Sequence, residues 1–292
     1  MFTIITIPKA FQNSHISIIQ RNAIKSWTKI IPRPEIILFG DDYGVDTIAA
    51  EFGVRHIKEV SKTQLGTPLL SSVFDIAGRE ASNDIICYVN ADILFFPDIV
   101  QSIQSVPFDE FLILGQRWDY DQFSLIDFDA NFSYNEYFNS VKKNGSLHPP
   151  AGSDYFIYKK KSLQSIPEFA VGRAGWDNWF ISYFYKKKIA IIDASKSITV
   201  IHQNHDYAHV KEAVGNSYRG TESSQNLSFI SKNEELFTII DSTYCIRKGV
   251  VKKVIGIKYL FQRIKRHKLV FIFFMLAKKV KKIFFKKKTL KS

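Results

Sequence analysis

Residues 85–95 read Ile-Ile-Cys-Tyr-Val-Asn-Ala-Asp-Ile-Leu-Phe, an apolar run that a short polar step interrupts before the apolar pattern resumes. Five consecutive apolar residues are typical of a strand that is buried on both faces of a parallel sheet. In open α/β sheets, ligands bind beyond the carboxyl ends of such strands. The step at residues 90–92 is therefore the first place to expect a binding site, although an Asp there can also simply end a strand or form a turn.

The first hundred residues alternate strand signals with helix signals. Residues 2–7 and 35–39 are short runs rich in apolar and β-branched side chains, and residues 53–57 form a third predicted strand. Residues 16–30, 45–52 and 68–79 have the pattern of helices. Strict alternation of this kind predicts a mostly parallel sheet that is covered by helices on both faces. The predicted fold class is therefore α/β and Rossmann-like.

Charge is distributed unevenly along the 292 residues. Seventeen of the 40 Lys and Arg residues lie between positions 247 and 292, which contain no Asp or Glu. The net charge of +12 therefore combines a strongly basic end with a remainder of about −5. We predict two domains, an α/β domain over residues 1–245 and a basic tail over residues 246–292.

The cellular compartment is indicated by two features. Cys87 and Cys245 are too few for a disulfide framework, and Cys87 lies in a buried run, so a reducing compartment is expected. Residues 2–7 have the character of a first strand and not of a signal peptide. No stretch reaches the roughly 20 apolar residues that a spanning helix needs.

Asn90-Ala91-Asp92 resembles the Asp-x-Asp metal motif of the GT-A glycosyltransferases, nucleotide-sugar enzymes of the family 2 type, with Asn90 in place of the first Asp. The resemblance implies a GT-A-like fold, with Asp92 as a ligand of Mn²⁺ or Mg²⁺ and Asn90 in contact with the ribose or a metal-bound water. Ala91 lies between them at the same donor site. These cations prefer oxygen ligands and substrate phosphates.

The same resemblance implies further contacts with the nucleotide-sugar donor. Asp41 ends the second strand, where GT-A enzymes have an acid that contacts the base or ribose, although an Asp-Asp turn facing solvent also explains it. Pro8 follows the first strand, and Gly66 and Thr67 precede the helix over residues 68–79. Thr67 is equally suited to cap that helix.

Residues 172–180 lead from a glycine-flanked loop into an aromatic-rich helix. This segment resembles the acidic element of inverting GT-A enzymes, which implies that Asp177 is the general base for the acceptor hydroxyl. The alternative is an acid that the helix dipole favours at this position. Trp176 and Trp179 could stack on a sugar or pack in the core.

Two more segments correspond to GT-A elements. Gly152, Ser153 and Asp154 form a turn before a strand, where GT-A enzymes contact the acceptor or the donor sugar. His202 follows the last strand, where a late histidine completes the metal site in several GT-A families, and a structural role fits it equally. We interpret His205 and His209 as structural residues.

The basic tail combines charged and apolar side chains. Val250, Val254, Ile257, Phe261 and Ile264 recur at helical spacing, with Lys and Arg between them. Such a helix is typical of a membrane interface, and its charge favours an anionic surface. A solvated tail or one that binds nucleic acid is the alternative. The interleaved Phe and Ile suit lipid better, so no nucleic-acid partner is expected.

Taken with the resemblance, these features predict an enzyme that transfers a sugar from a nucleotide donor to a saccharide, polysaccharide or lipid-linked acceptor, with inversion. Its place would be the cytoplasmic face of a membrane, in cell-surface glycan synthesis. Two alternatives stay open. A nucleotidyltransferase acting on sugar phosphates would need a glycine-rich loop, and residues 8–11 contain no glycine. A catalytically decayed membrane-surface binding protein is compatible with Asn90.

Overall fold

The computed structural model describes residues 1–205, 220–230 and 236–266. Residues 1–252 form one compact unit, and residue 253 begins a second one. The described strands are β1 (Thr3–Thr6), β2 (Glu35–Phe39), β3 (Arg55–Ile57), β4 (Ile85–Val89), β5 (Ile93–Phe95), β6 (Phe111–Leu114), β7 (Trp118–Tyr120), β8 (Ser146–Leu147), β9 (Tyr155–Lys159), β10 (Ala190–Asp193), β11 (Val200–Gln203), β12 (Tyr244–Arg247) and β13 (Val250–Lys253). The described α-helices are α1 (Ser14–Thr28), α2 (Val45–Phe52), α3 (Leu70–Glu80), α4 (Asp98–Gln104), α5 (Tyr134–Asn144), α6 (Trp176–Lys186), α7 (Thr221–Ser228) and α8 (Ile257–Arg266).

Nine strands form a large, mostly parallel sheet in the order β13–β12–β10–β6–β9–β4–β1–β2–β3. In its centre, β1 pairs in parallel with both β2 and β4. Strand β9 is inserted between β4 and β6 and runs antiparallel to both. The predicted α/β class with a mostly parallel sheet is thereby confirmed.

Side chains on the central strands alternate between two buried faces. Ile4 and Cys87 pack on the face that α1 and α2 cover, whereas Ile5 and Tyr88 pack on the face that α3 and α6 cover. Because both faces exclude water, the apolar residues of these strands face both sides and do not alternate with polar residues, although β1 has a buried Thr at each end.

Helix α1 ties the sheet to the polar step after β4. It begins after Asn13, whose side-chain oxygen accepts a 3.0 Å hydrogen bond from the N–H of Ile16. Its buried face includes Ala23 and Trp27, as the helical spacing predicted. The indole N–H of Trp27 donates to the carbonyl of Ile93 at 3.0 Å, so α1 holds the strand that directly follows Asp92.

A second, smaller sheet has the order β5–β11–β7–β8. Strand β11 lies between β5 and β7, which places His202 opposite Ile93 on one side and opposite Asp119 on the other. The four strands are two to four residues long. A period of two residues cannot be recognised over so few positions, and the sequence therefore did not predict this sheet.

The helix predicted over residues 68–79 starts later than expected. Its first residue is Leu70, and Leu69 at the N-cap makes no side-chain capping bond. Thr67 is therefore not the cap. The Thr67 hydroxyl donates to Glu222 Oε2 at 3.0 Å. This hydrogen bond determines the orientation of the Thr67 side chain.

The amphipathic helix predicted to start at Val250 also begins later, at Ile257. Lys248 and Gly249 have positive φ angles of 52° and 70°, the conformation of a tight hairpin turn, and they connect β12 to β13. Strand β12 pairs with β10, which carries the large sheet past the predicted boundary at residue 245. Residues 267–292 of the predicted tail lie outside the described residues. In the part of the chain that is described, no helix is both long and apolar enough to cross a membrane.

Candidate active site

A cleft of about 340 Å³ lies at the carboxyl ends of β1 and β4. Most of the residues predicted to bind the donor line it, namely Pro8, Gly66, Thr67, Asn90, Ala91 and Asp92. Asp154 and His202 line it as well. The cleft therefore lies where ligands collect in open α/β sheets, and it brings together residues from distant parts of the sequence.

Asp92 faces two histidines in this cleft. Its Oδ2 atom lies 3.0 Å from Nε2 of His205 and 3.8 Å from Nε2 of His202. One potential ligand atom from each residue lies within 4.8 Å of the others, so the three side chains could hold a metal ion. We refer to Asp92, His202 and His205 as the triad.

The Asp92 side chain is 14% exposed, and its two carboxylate oxygens differ in their hydrogen bonding. Within the described residues, its Oδ1 atom is buried and has no hydrogen-bond partner, whereas Oδ2 contacts His205. Burial by itself would raise the pKa of Asp92. The charge of His202, the hydrogen bond with His205 and the nearby Lys9 outweigh burial and hold that pKa well below its usual range. The carboxylate is therefore ionised at neutral pH, as a metal ligand must be.

A network of charged side chains continues from the triad to Asp154. Arg117 donates from Nε to Asp119 Oδ1 at 2.8 Å, and its Nη1 atom donates to Asp154 Oδ2. The amide of Asn90 donates to Asp154 Oδ1 at 2.8 Å. Asn90 therefore lines the cleft with its amide nitrogen directed at Asp154.

Asp177 lies in the first turn of α6, directly after the N-cap residue Gly175 and Trp176. The pKa of Asp177 is raised to about 6, mainly by burial and also by the neighbouring charge of Asp154, against the opposing effects of the backbone N–H of Asn178 and the charge of Arg117. Asp177 is not one of the side chains that line the cleft, but Asp154 is. A β-carbon at Gly152 would lie only 2.3 Å from Asp177 Oδ2, so the carboxylate packs directly against that glycine.

The remaining predicted residues lie away from the cleft. Asp41 forms an ion pair with Lys62, and its neighbour Asp42 lines the cleft instead. Ser153 is buried and donates to the carbonyl of Gly115 at 3.0 Å, so its hydroxyl has a structural role in the protein interior. A donor contact by Asp41 and a saccharide contact by Ser153 stay predictions.

Both tryptophans of α6 have aromatic neighbours in the protein. Trp176 is 7% exposed and packs edge-on against Tyr88 and Phe156. The ring of Trp179 lies 5.5 Å from that of Phe169. These contacts account for Trp176 as part of the hydrophobic core, and stacking of either ring on a sugar stays a prediction.

His205, which we interpreted as structural, contacts Asp92 with its imidazole and has a side chain that is only 3% exposed, so it is also placed to serve as a metal ligand beside His202. A signal was present in the sequence. Strand β11 ends at Gln203, and a second histidine two residues beyond it lies close enough to turn back toward the same carboxylate. His209, which received the same interpretation, lies outside the described residues.

Glu222 on α7 is a second site residue that the sequence did not reveal. It is 5% exposed and accepts hydrogen bonds from the hydroxyls of Thr63 and Thr67, at 2.5 and 3.0 Å. Arg173 donates to it from Nε at 2.9 Å. Thr67 and Arg173 both line the cleft, so this one buried carboxylate fixes two separate cleft-lining loops relative to each other.

No protein-family model matches the sequence, and neither does any curated protein. Solved structures are similar at low identity. The mannosyltransferase PcManGT from Pyrobaculum calidifontis, in complex with GDP-Man and Mn²⁺, is 10% identical with a TM-score of 0.46, over 70% of this chain and 57% of that one. Glucosyl-3-phosphoglycerate synthase from Mycobacterium tuberculosis, in complex with Mn²⁺, UDP and phosphoglyceric acid, is 14% identical with a TM-score of 0.47, over 78% of this chain and 76% of that one. S. aureus TarS 1-349 in complex with UDP-GlcNAc is 10% identical with a TM-score of 0.46, over 72% of this chain and 60% of that one. The match therefore spans less than two thirds of the mannosyltransferase and of TarS.

Replacing Asp177 with Asn tests the raised pKa of this carboxyl group. An unfolded Asp titrates near 3.8 and the folded one at about 6, so the wild-type protein loses stability as pH rises through that window, by up to about 3 kcal/mol. Asp177→Asn lacks this titrating carboxyl group, so its free energy of unfolding should not show this decrease between pH 4 and 7. The measurement is the free energy of urea unfolding between pH 4 and 7. The matched variant Asp127→Asn, at an exposed position, should follow the wild type. Parallel curves for wild type and Asp177→Asn would contradict the raised pKa.

Proposed function

We propose that the chain is a metal-dependent glycosyltransferase that moves a sugar from a nucleoside-diphosphate donor to an acceptor hydroxyl, with inversion. The observation that carries this proposal is the triad, in which the buried Asp92 presents an unpartnered oxygen beside two imidazoles. Leaving a buried acceptor without a donor costs about 1–3 kcal/mol, and more for a charged group. A bound cation would remove that cost, so the donor set fits a metal site.

The type of cation follows from the ligands. One carboxylate and two imidazoles suit Mn²⁺ better than Mg²⁺, which takes oxygen ligands almost exclusively. When bound, a divalent cation stabilises negative charge on a departing diphosphate. The chain itself supplies two more positive groups to the cleft, Lys9 and Arg173, which are suited to the same leaving group.

Asp177 is the residue that we propose as the general base. A pKa of about 6 leaves the carboxylate ionised at neutral pH and more basic than an ordinary Asp, as proton abstraction from a hydroxyl requires. Its neighbour Asp154 lines the cleft and is held by Arg117 and Asn90. The acceptor hydroxyl would approach on this side of the cleft.

The first loop argues against a nucleotidyltransferase. Such an enzyme would present backbone N–H groups after β1 to a phosphate. Here the N–H of Lys9 donates to Gln20 Oε1 at 2.6 Å, and the Gln20 amide returns a 2.9 Å hydrogen bond to the Lys9 carbonyl. Because Gln20 already accepts the Lys9 N–H, this peptide is not available to a phosphate.

A decayed site is also disfavoured. Asp92 keeps a buried, ionised oxygen that lacks a donor among the described residues, an arrangement that destabilises the protein unless a ligand binds. The surrounding charges, in contrast, are paired through Arg117. A carboxylate no longer in use would be expected either to acquire a partner or to be replaced.

We further propose that the C-terminal segment binds an anionic membrane surface. The described part of it, α8, exposes Ile257, Leu260, Phe261 and Ile264, whose spacing places them on one face of the helix. This helix begins within the stretch that carries 17 Lys and Arg residues. An exposed apolar face in a strongly basic segment suits insertion among anionic lipid headgroups.

A membrane location fits a lipid-linked or polysaccharide acceptor in cell-surface glycan synthesis, and we propose the cytoplasmic face. The proposal is supported by Cys87 and Cys245, both buried free thiols. The donor sugar is left open, because it depends on a few side chains in irregular loops.

Nucleotide binding tests the metal-dependent donor site. Wild-type protein should bind UDP or GDP at least about tenfold more tightly with 1 mM Mn²⁺ than with EDTA, because a cation held by the triad would neutralise charge on the diphosphate. Asp92→Asn should keep the metal-free affinity and lose the enhancement. Isothermal titration calorimetry measures both.

The control for this experiment is Asp129→Asn, at an exposed position of the same unit, which should behave as the wild type. The donor site would be refuted if neither nucleotide binds to the wild type with Mn²⁺, or if Asp92→Asn retains the full enhancement.

Vesicle binding tests the membrane proposal. Leu260→Glu/Phe261→Glu places two charges on the exposed face of α8 and should weaken binding to phosphatidylglycerol-containing vesicles by more than about tenfold, because each buried side chain contributes roughly 1.5–3 kcal/mol. Co-sedimentation of the full chain measures this. Ile31→Glu, at an isoleucine that is 84% exposed in the first unit, is the matched control and should bind normally. Equal binding of both variants would count against α8 as the contact.

A further inference from the structure

The surroundings of His202 Nδ1 determine whether Nε2, the nitrogen that faces the cleft, carries a hydrogen. Nδ1 lies 3.3 Å from Asp119 Oδ1 and 3.3 Å from Asn204 Oδ1. Both atoms are acceptors, so Nδ1 must carry the hydrogen. In a neutral imidazole, Nε2 then has the lone pair, and this is the atom that faces Asp92.

The orientation of the Asn204 amide is fixed independently. Its nitrogen donates to Asp121 Oδ1 at 2.8 Å, which turns its oxygen toward His202. The assignment of the oxygen and nitrogen of this amide therefore follows from the hydrogen-bond network. Two acceptors, one of them charged, consequently face Nδ1 of His202.

Asp119 is itself held from two sides. Its Oδ1 atom accepts from Arg117 Nε at 2.8 Å, and its Oδ2 atom lies 2.7 Å from His148 Nδ1. Both oxygens are thus engaged by protein groups, and Asp119 is not part of the triad that could bind the metal. Its contact with the metal site runs through His202.

The small sheet explains why these side chains meet. His202 is opposite Asp119 in the β11–β7 pair, and Asp119 is opposite Ser146 in the β7–β8 pair, two residues before His148. On the other edge, His202 is opposite Ile93, the residue after Asp92. A row of side chains therefore runs from Asp92, directly before β5, through His202 on β11 and Asp119 on β7 to His148, directly after β8.

We propose that Asp119 is a positioning residue of the metal site, which holds His202 with Nδ1 protonated and directs Nε2 toward Asp92 and His205. The inference rests on the metal-dependent function proposed above and deepens it. A carboxylate that accepts from a ligating histidine raises the basicity of that ligand and fixes its ring, and its loss typically weakens metal binding 10- to 100-fold.

The test is a Mn²⁺ titration of the full chain, in which the signal of free Mn²⁺ is followed by electron paramagnetic resonance. Asp119→Asn keeps the size of the side chain and removes its charge, and we expect Mn²⁺ to bind about 10- to 100-fold more weakly than to the wild type. Asp127→Asn, the same change at an exposed position, should leave the affinity unchanged.

Thermal unfolding without metal separates positioning from a merely structural role. A structural role lowers the Tm of Asp119→Asn but leaves the affinity of the folded protein for Mn²⁺ unchanged, and this result would overturn the proposal. Asp119→Glu retains the charge that pairs with Arg117 and His148. This variant replaces Asp119→Asn in the titration if the Asn variant does not fold. Asp119→Glu should bind Mn²⁺ more tightly than Asp119→Asn but more weakly than the wild type.

Failure of this inference is distinguishable from failure of the proposed function. If the wild type binds no Mn²⁺, the metal site itself is refuted and the role of Asp119 with it. If the wild type binds Mn²⁺ and Asp119→Asn binds it equally well, only the role of Asp119 is refuted.

Discussion

A buried, ionised carboxylate has to meet positive charge or a ligand, and Asp92 is in this position. The pairing of β5 with β11 brings His202 beside it, and the residues after β11 bring His205 to the same oxygen. The second oxygen has no donor among the described residues. The pairing of these two short strands therefore brings together the side chains that could hold a metal ion.

The site draws on both sheets, and buried ions join its parts. Arg117 lies between Asp119, next to the triad, and Asp154, next to Asp177, so one guanidinium connects the metal side of the cleft to the side of the proposed base. Glu222 performs a similar function for two loops, through Thr67 and Arg173. Removing one partner of such a buried group typically costs several kcal/mol, so the geometry of the cleft is coupled to the stability of the fold.

The sequence predicted what depends on long, regular patterns. The large sheet was predictable because its strands are buried on both faces, and the position of Asp92 was predictable because it follows such a strand. The small sheet was not, since its strands are two to four residues long, and the contact of His205 with Asp92 was missed with it. A helix cap was the local alternative for Thr67 because the spacing allows it, whereas its hydrogen-bond partner Glu222 is 155 residues away in the sequence. Contacts of this kind depend on tertiary structure and leave no local pattern.

The most direct test of the central claim is pulsed electron paramagnetic resonance of the Mn²⁺-loaded full chain, which detects nitrogen atoms bound to the ion. The account predicts couplings from two imidazole nitrogens, one of which disappears in His202→Gln and the other in His205→Gln. A spectrum of bound Mn²⁺ that contains no nitrogen coupling would contradict it, because the ion would then be held by oxygen ligands at a place other than the triad.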